Sequence, residues 1–175
     1  MTQIDTLNDI CDARYSCRAF RPDPVDRAVI ERIVATAQKI PSWCNAQPWQ
    51  LTIASGAATD AFREALYAHA VPDLDWSEKY QGVYLDRRRA CGFQLYNAVG
   101  IEKGDRPAGA KQMMENFRLF GAPHVALVTA PKELGPYGAM DSGGFVAAFT
   151  LAAAAQGVAT IAQAAIAGHA PMVRD

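Results

Sequence analysis

The chain has 175 residues, half of them hydrophobic, with a formal net charge of −1. That length predicts one domain with a real core over residues 1–175, and the near-neutral charge excludes a dedicated nucleic-acid surface, which needs clustered Lys and Arg. No run reaches the roughly 18 consecutive apolar residues of a membrane span, and "MTQIDTLNDICDARYS" carries early acids and no apolar stretch of a signal peptide, so a cytoplasmic protein is expected.

The first helix is expected in "PDPVDRAVIERIVATAQK", with Asp23 as N-cap, Pro24 at the first helical position and Asp26 three residues after the cap. Val29, Ile30, Ile33, Val34 and Ala37 recur at helical spacing and form one apolar stripe, which Pro41 ends. "WQLTIAS" alternates enough for a strand closed by Ser55-Gly56. "TDAFREALYAHAV" predicts a second helix capped by Thr59 or Asp60, with Phe62, Ala65, Leu66 and His69 on one side. Residues 72–107 are the least regular, mix Trp76, Tyr80 and Tyr84 with charges, and are expected to form a lid or variable excursion.

Further on, "HVALVTA" is an apolar run of strand length, expected as a central strand. "GGFVAAFTLAAAAQG" predicts a long helix, apolar nearly all round, which must be buried in a core or between subunits. "VATIAQAAIAG" follows as a short strand or extended turn, and "PMVRD" opens another helix. Helices alternating with about three strands, without a hairpin series, predict an α+β sandwich. There is no G-x-G-x-x-G, P-loop or G-x-S-x-G, which removes most support from the common nucleotide and hydrolase readings.

Cysteines 11, 17, 44 and 91 form no C-x-x-C pair and have no histidine at zinc-ligand spacing. Free buried or half-buried thiols and no metal are therefore expected. His69, His124 and His169 are scattered, and each is expected in a satisfied structural role.

Three stretches hold residues suited to binding. "ARYSCRAF" carries Arg14, Ser16 and Arg18, which point the same way if the segment is extended. Two guanidinium forks and a hydroxyl suit a phosphate; a solvated pair beside an exposed turn is the plainer reading. "IPSWCNAQPW" holds Ser42, Asn45 and Gln47, whose hydroxyl and carboxamides either read the edge of a heterocycle or satisfy loop backbone. "MENFRLFGAPHV" places Asn116 and Arg118 before an apolar strand, where Arg118 either neutralises charge on a bound ring or is a surface residue at a helix end.

Taken in order, "RYSCRAF", "IPSWCNAQPW", "NFRLFGAPHVALV" and the D-x-G followed by "LAAAAQGVATIAQ" make this chain resemble the FMN-dependent nitroreductase family, from Arg14 to about Gly168. The branch it is most similar to reduces nitroaromatic acids and related small arenes. The resemblance implies a nitroreductase-like sandwich with a central, mostly antiparallel sheet flanked by helices, assembled as an obligate homodimer that shares the flavin site. Arg14, Ser16 and Arg18 would hold the ribityl phosphate and nearby flavin atoms. Pro41, Ser42, Asn45 and Gln47 would reach the flavin held mainly by the other subunit. Asn116 and Arg118 would lie near the pyrimidine side of the ring, and Ala162, Gln163 and Ala164 would offer backbone groups near N5 and O4. Trp43 either lines the substrate slot or packs structurally.

The resemblance further implies a ping-pong reaction in which NADH or NADPH gives a hydride to FMN and a small nitroaromatic compound is then reduced. The same slot also suits quinones, enoates or halogenated aromatics, and a non-catalytic flavin-binding remnant is a further alternative. Trp76 to Arg89 would then form the lid that sets substrate choice, with Arg87, Arg88 and Arg89 either attracting an aromatic carboxylate or forming a solvated helix face. Two departures stand out: many relatives have Pro where this chain has Ala162, and family members continue past the position of Asp175 with a helix, a strand and a basic pair. The sequence is therefore expected to be truncated, lacking the family's C-terminal segment.

Overall fold

The computed structural model describes residues 1–70 and 80–174. They group into two compact units, Met1–Phe62 with Phe120–Ala162, and Arg63–Leu119 with Gln163–Asp175.

The first unit opens with a helix that the sequence analysis did not anticipate, α1 (Gln3–Ala13). Its start is a reciprocal cap: Thr2 Oγ1 accepts from Asp5 N–H at 3.2 Å while Asp5 Oδ2 accepts from Thr2 N–H at 2.7 Å. These bonds hold the Asp5 carboxyl below its ordinary value. The next helix, α2, spans Arg27–Ala37 and begins later than expected. Asp26, not Asp23, is its N-cap, accepting from Ala28 N–H at 2.9 Å. The reason is tertiary: Val25 N–H donates to His124 Nε2 at 2.8 Å, which removes it from any helical turn, and Pro24 disfavours a helical Asp23.

Strands β1 (Gln50–Ser55) and β2 (His124–Thr129) pair antiparallel, from Gln50 opposite Thr129 to Ser55 opposite His124. Among the described residues they make the whole sheet, so the expected larger central sheet is corrected to a two-stranded ribbon and "HVALVTA" is half-buried rather than central. Gly56, at φ +56°, turns the chain from β1 into α3 (Ala57–His69). That helix starts before the expected caps, and Thr59 is buried inside it instead of capping it.

Helix α6, Gly135–Ala155, starts eight residues earlier than expected, with Pro136 in its first turn. It packs on α2 through Ile33, Ala152 and Ala153, joined by Val29, Phe149 and Val158. The expectation that it is buried holds only for part of it: 22% of its most apolar stretch is fully buried, and much of the rest is half-buried or exposed. With the turn before it, α6 is long and apolar enough to cross a membrane by length and composition, a test that core helices also pass. The segment after α6 is extended at Thr160, which forms a parallel bridge with Ser16.

In the second unit, α4 (Val83–Ala98) and α5 (Arg106–Met114) are joined by a loop, and a short α7 (Ala170–Arg174) forms where "PMVRD" predicts a helix opening. Part of the expected lid, with Trp76, lies outside the described residues; Arg87, Arg88 and Arg89 sit exposed on α4. Phe117 and His169 are buried together, ring centroids 5.0 Å apart, with His69 edge-on to His169 at 5.4 Å. His124 fills its structural role, bonding both Val25 and Ser55; His169 Nε2 has no hydrogen-bond partner among the described residues. The four thiols are free, but only Cys17 is buried; Cys11, Cys44 and Cys91 are exposed, which corrects the expectation for those three.

Candidate functional site

In the first unit, Arg14 ends α1 and the chain then runs extended, with ψ 124° at Arg14. Cys17 N–H donates to Thr160 O at 3.0 Å, and the Cys17 side chain is buried while Arg14, Ser16 and Arg18 are exposed. Arg14, Ser16 and Arg18 thus lie on exposed chain that is extended at Ser16 and bends at Arg18, with Tyr15 exposed between them. Arg18 Nη1 makes only a long bond, 3.4 Å, to Ser16 O. A groove of about 210 Å³ is lined by Arg14 and Tyr15 with Ala154, Val158 and Thr160. That is below the ~300–1,000 Å³ typical of small-molecule pockets.

The loop from Pro41 to Trp49 is built differently. A single 3-10 turn covers Trp43–Asn45, and Ser42 Oγ accepts from Gln47 N–H at 2.8 Å, closing the loop on itself. Cys44, Asn45 and Gln47 have φ of 49°, 55° and 46°, in the left-handed region. Each such non-glycine residue costs on the order of 1–2 kcal/mol, with Asn the best suited. The loop therefore needs holding in place, and α6 supplies it. Trp43 N–H donates to both carboxylate oxygens of Asp141, at 3.1 Å each. The Trp43 ring stacks on Tyr137 at 4.9 Å, and Trp49 stacks on Phe145 at 5.2 Å. Gly144 carries no side chain where a Cβ would stand 3.2 Å from Ile40 Cδ1, so helix and loop entry approach closely. Asn45, Gln47 and the Trp43 ring remain exposed.

The sequence analysis assigned no role to Tyr137 or Asp141. The signal was present as Tyr137-x-x-x-Asp141-x-x-x-Phe145, one face of a helix at i, i+4 and i+8, but the expected helix began after both.

In the second unit, Gln163 Nε2 donates to Asn116 O at 3.0 Å and to Asn116 Oδ1 at 3.1 Å, while Asn116 Nδ2 donates to Met113 O at 2.8 Å. Two of the predicted binding residues are thus in direct contact. Arg118 lies over the Tyr67 ring at 4.4 Å and 3.7 Å from Glu115 Oε1, and its carbonyl accepts from Arg63 Nε at 3.1 Å. Its guanidinium is half exposed and keeps capacity for an anion. Ala162 closes the first unit and Ala164 follows Gln163 in the second; both are exposed. Among the described residues no three His, Cys, Asp or Glu side chains converge.

A sequence model of the nitroreductase family matches residues 12–175. The chain is 37% identical over 167 residues to nitroreductase NfnB of Mycolicibacterium smegmatis, covering 92% of this chain and 71% of that protein. It is 29% identical to a 4-nitrobenzoate reductase of Pseudomonas putida, covering 98% of this chain and 78% of the relative. The crystal structure of the FMN-dependent nitroreductase NfnB from Mycobacterium smegmatis in complex with NADPH matches the fold with a TM-score of 0.90 at 32% identity, over 98% of this chain and 81% of that one. These likenesses establish an α+β nitroreductase fold, mostly helical with a small antiparallel sheet, and the chain belongs to the nitroreductase family.

Proposed function

We propose that this protein binds FMN and uses NADH or NADPH to reduce nitroaromatic compounds, working as a homodimer. As a member of its family it is a nitroreductase-type flavin oxidoreductase. The observation that carries the cofactor reading is the short exposed stretch holding Arg14, Ser16 and Arg18, tied down by the buried Cys17 and its main-chain bond to Thr160. Two cationic forks and a hydroxyl in that arrangement fit a phosphate monoester.

The other residues suit the rest of the cofactor. Ser42 Oγ is engaged as an acceptor by Gln47 N–H, which leaves its own O–H to donate to a ligand. Asn45 and Gln47 present exposed carboxamides able to match the donors and acceptors of a heterocycle. Arg118, steadied on Tyr67, would place positive charge beside the pyrimidine side of the ring. A well-placed donor of that kind is worth roughly 2–4 kcal/mol against developing negative charge. Ala162, Gln163 and Ala164 would present backbone groups toward the ring, and Trp43 would border the slot for a flat acceptor. FMN, when bound, supplies the hydride chemistry, taking a hydride from the nicotinamide and passing reducing equivalents to the nitro compound. The protein's task is to position the partners and exclude water.

A second copy is favoured by α6, an apolar helix of which only part is fully buried within one chain and which carries exposed Tyr137 and Met140. The test is an absorption spectrum of the purified protein under anaerobic conditions, before and after NADPH. Flavin bands that bleach on addition are expected, with nitrobenzoate restoring them. Protein that stays colourless and takes up no added FMN overturns the reading.

A further inference from the structure

The loop that the functional reading assigns to FMN is held in a left-handed conformation by one face of α6, and we infer that Asp141 is the positioning residue that presets it. The inference rests on that reading. Three of four consecutive loop positions, Cys44, Asn45 and Gln47, have positive φ, so the loop left to itself would relax to other conformations. At its far end, Trp49 is fixed by stacking on Phe145, and Pro48 is buried. At its near end, the polar anchor on α6 is Asp141, which takes the Trp43 N–H between its two carboxylate oxygens. The Tyr137 stack on Trp43 comes from the next turn of the same helix face and is more exposed, Tyr137 at 54% and Trp43 at 60%.

Asp141 holds Trp43, the residue just before the left-handed positions Cys44, Asn45 and Gln47, so a change at Asp141 moves the residues that would meet the ligand without removing any of them. The chemistry fits a positioning role: a charged acceptor holds a backbone N–H more strongly than a neutral one, and the bond fixes main chain rather than a flexible side chain. Loop order set before binding does not have to be supplied by the ligand, so removing the anchor should appear as lost affinity.

The experiment compares the parent protein with Asp141→Ala and Asp141→Asn, measuring FMN affinity by fluorescence quenching and amide hydrogen exchange at Trp43 without ligand. The asparagine keeps one acceptor oxygen in place. Asp141→Ala should weaken FMN about tenfold, the size expected when a few ordered groups must be immobilised on binding. Trp43 exchange should speed up in the same variant, and Asp141→Asn should restore most of both. A merely structural role would lower the melting temperature but leave affinity, measured well below that temperature, unchanged. Equal FMN affinity in parent and Asp141→Ala overturns the inference alone. A parent protein that binds no FMN overturns the functional reading and this inference with it. If Asp141→Ala does not fold, Asp141→Ser takes its place, its shorter side chain falling short of the Trp43 N–H: FMN affinity and Trp43 exchange equal to the parent in that variant overturn the inference.

Discussion

Two segments of the first unit are proposed to meet the same kind of ligand, yet they are prepared in opposite ways. The Arg14–Arg18 segment is fixed through its main chain by the bridge to Thr160, while its guanidinium groups project into solvent. The Pro41–Trp49 loop is held on side chains of α6, with the Trp43 N–H on Asp141 and the Trp43 and Trp49 rings stacked on Tyr137 and Phe145, and its backbone is bent into the left-handed region. The difference follows from what each would bind. A phosphate is recognised by charge, and long cationic side chains can close on it after arrival. The edge of a planar ring is recognised by donors and acceptors at set positions, which only a preset backbone provides.

Substitutions should separate the two. The largest effect is expected for Phe145→Ala, because Phe145 is fully buried and carries the Trp49 stack. The loss should be about 3–5 kcal/mol in urea unfolding, and a loss under about 1 kcal/mol would mean the loop is not anchored there. Arg18→Ala should leave stability within about 0.5 kcal/mol, since the side chain is exposed. It should nevertheless weaken FMN binding about tenfold or more, the worth of a charged hydrogen bond. Parent affinity should also fall as salt is raised; salt-independent binding would break the comparison.

Ser42→Ala sharpens the contrast within the loop. It removes the acceptor for Gln47 N–H, at a cost of about 1 kcal/mol, and hydrogen exchange at the Gln47 amide should rise while Trp43 stays protected. The smallest effect expected is a pH dependence from His124. Burial lowers its pKa from the ordinary 6.5, and the neutral ring is needed because Nε2 accepts from Val25 N–H. The unfolded chain therefore binds this proton more readily than the folded one. Stability is fully present above pH 6.5 and declines as pH falls through that value toward the lower folded pKa. Unfolding free energies measured from pH 8 to 5 should show that decline, and His124→Gln should flatten it.

Much of this was legible in the sequence for a physical reason. The apolar stripe of α2, the alternation of β1 and the continuous apolar run of α6 are each written in neighbouring residues, and burial drives them into the expected elements. Family membership was equally legible from the ordered set of short motifs. The cap of α1 was also local, Thr2 with Asp5, and was overlooked because Asp stands where the usual signature has Glu or Gln.

What the sequence did not determine were the contacts between distant residues. The start of α2 depends on His124, 99 positions away from Val25, and the set of the loop depends on Asp141, 98 positions from Trp43. The length of the sheet and the uncovered state of α6 likewise depend on what packs nearby. The sequence by itself determined the segments of α2, β1, β2 and α6 and which residues carry cations, carboxamides and hydroxyls, because propensity and periodicity act over one or two turns; α1, α4 and α5 were not read from it. Only the tertiary structure decided which of them are held fixed and in what backbone conformation, because a strained loop or a displaced cap persists only when packing elsewhere in the fold offsets its cost.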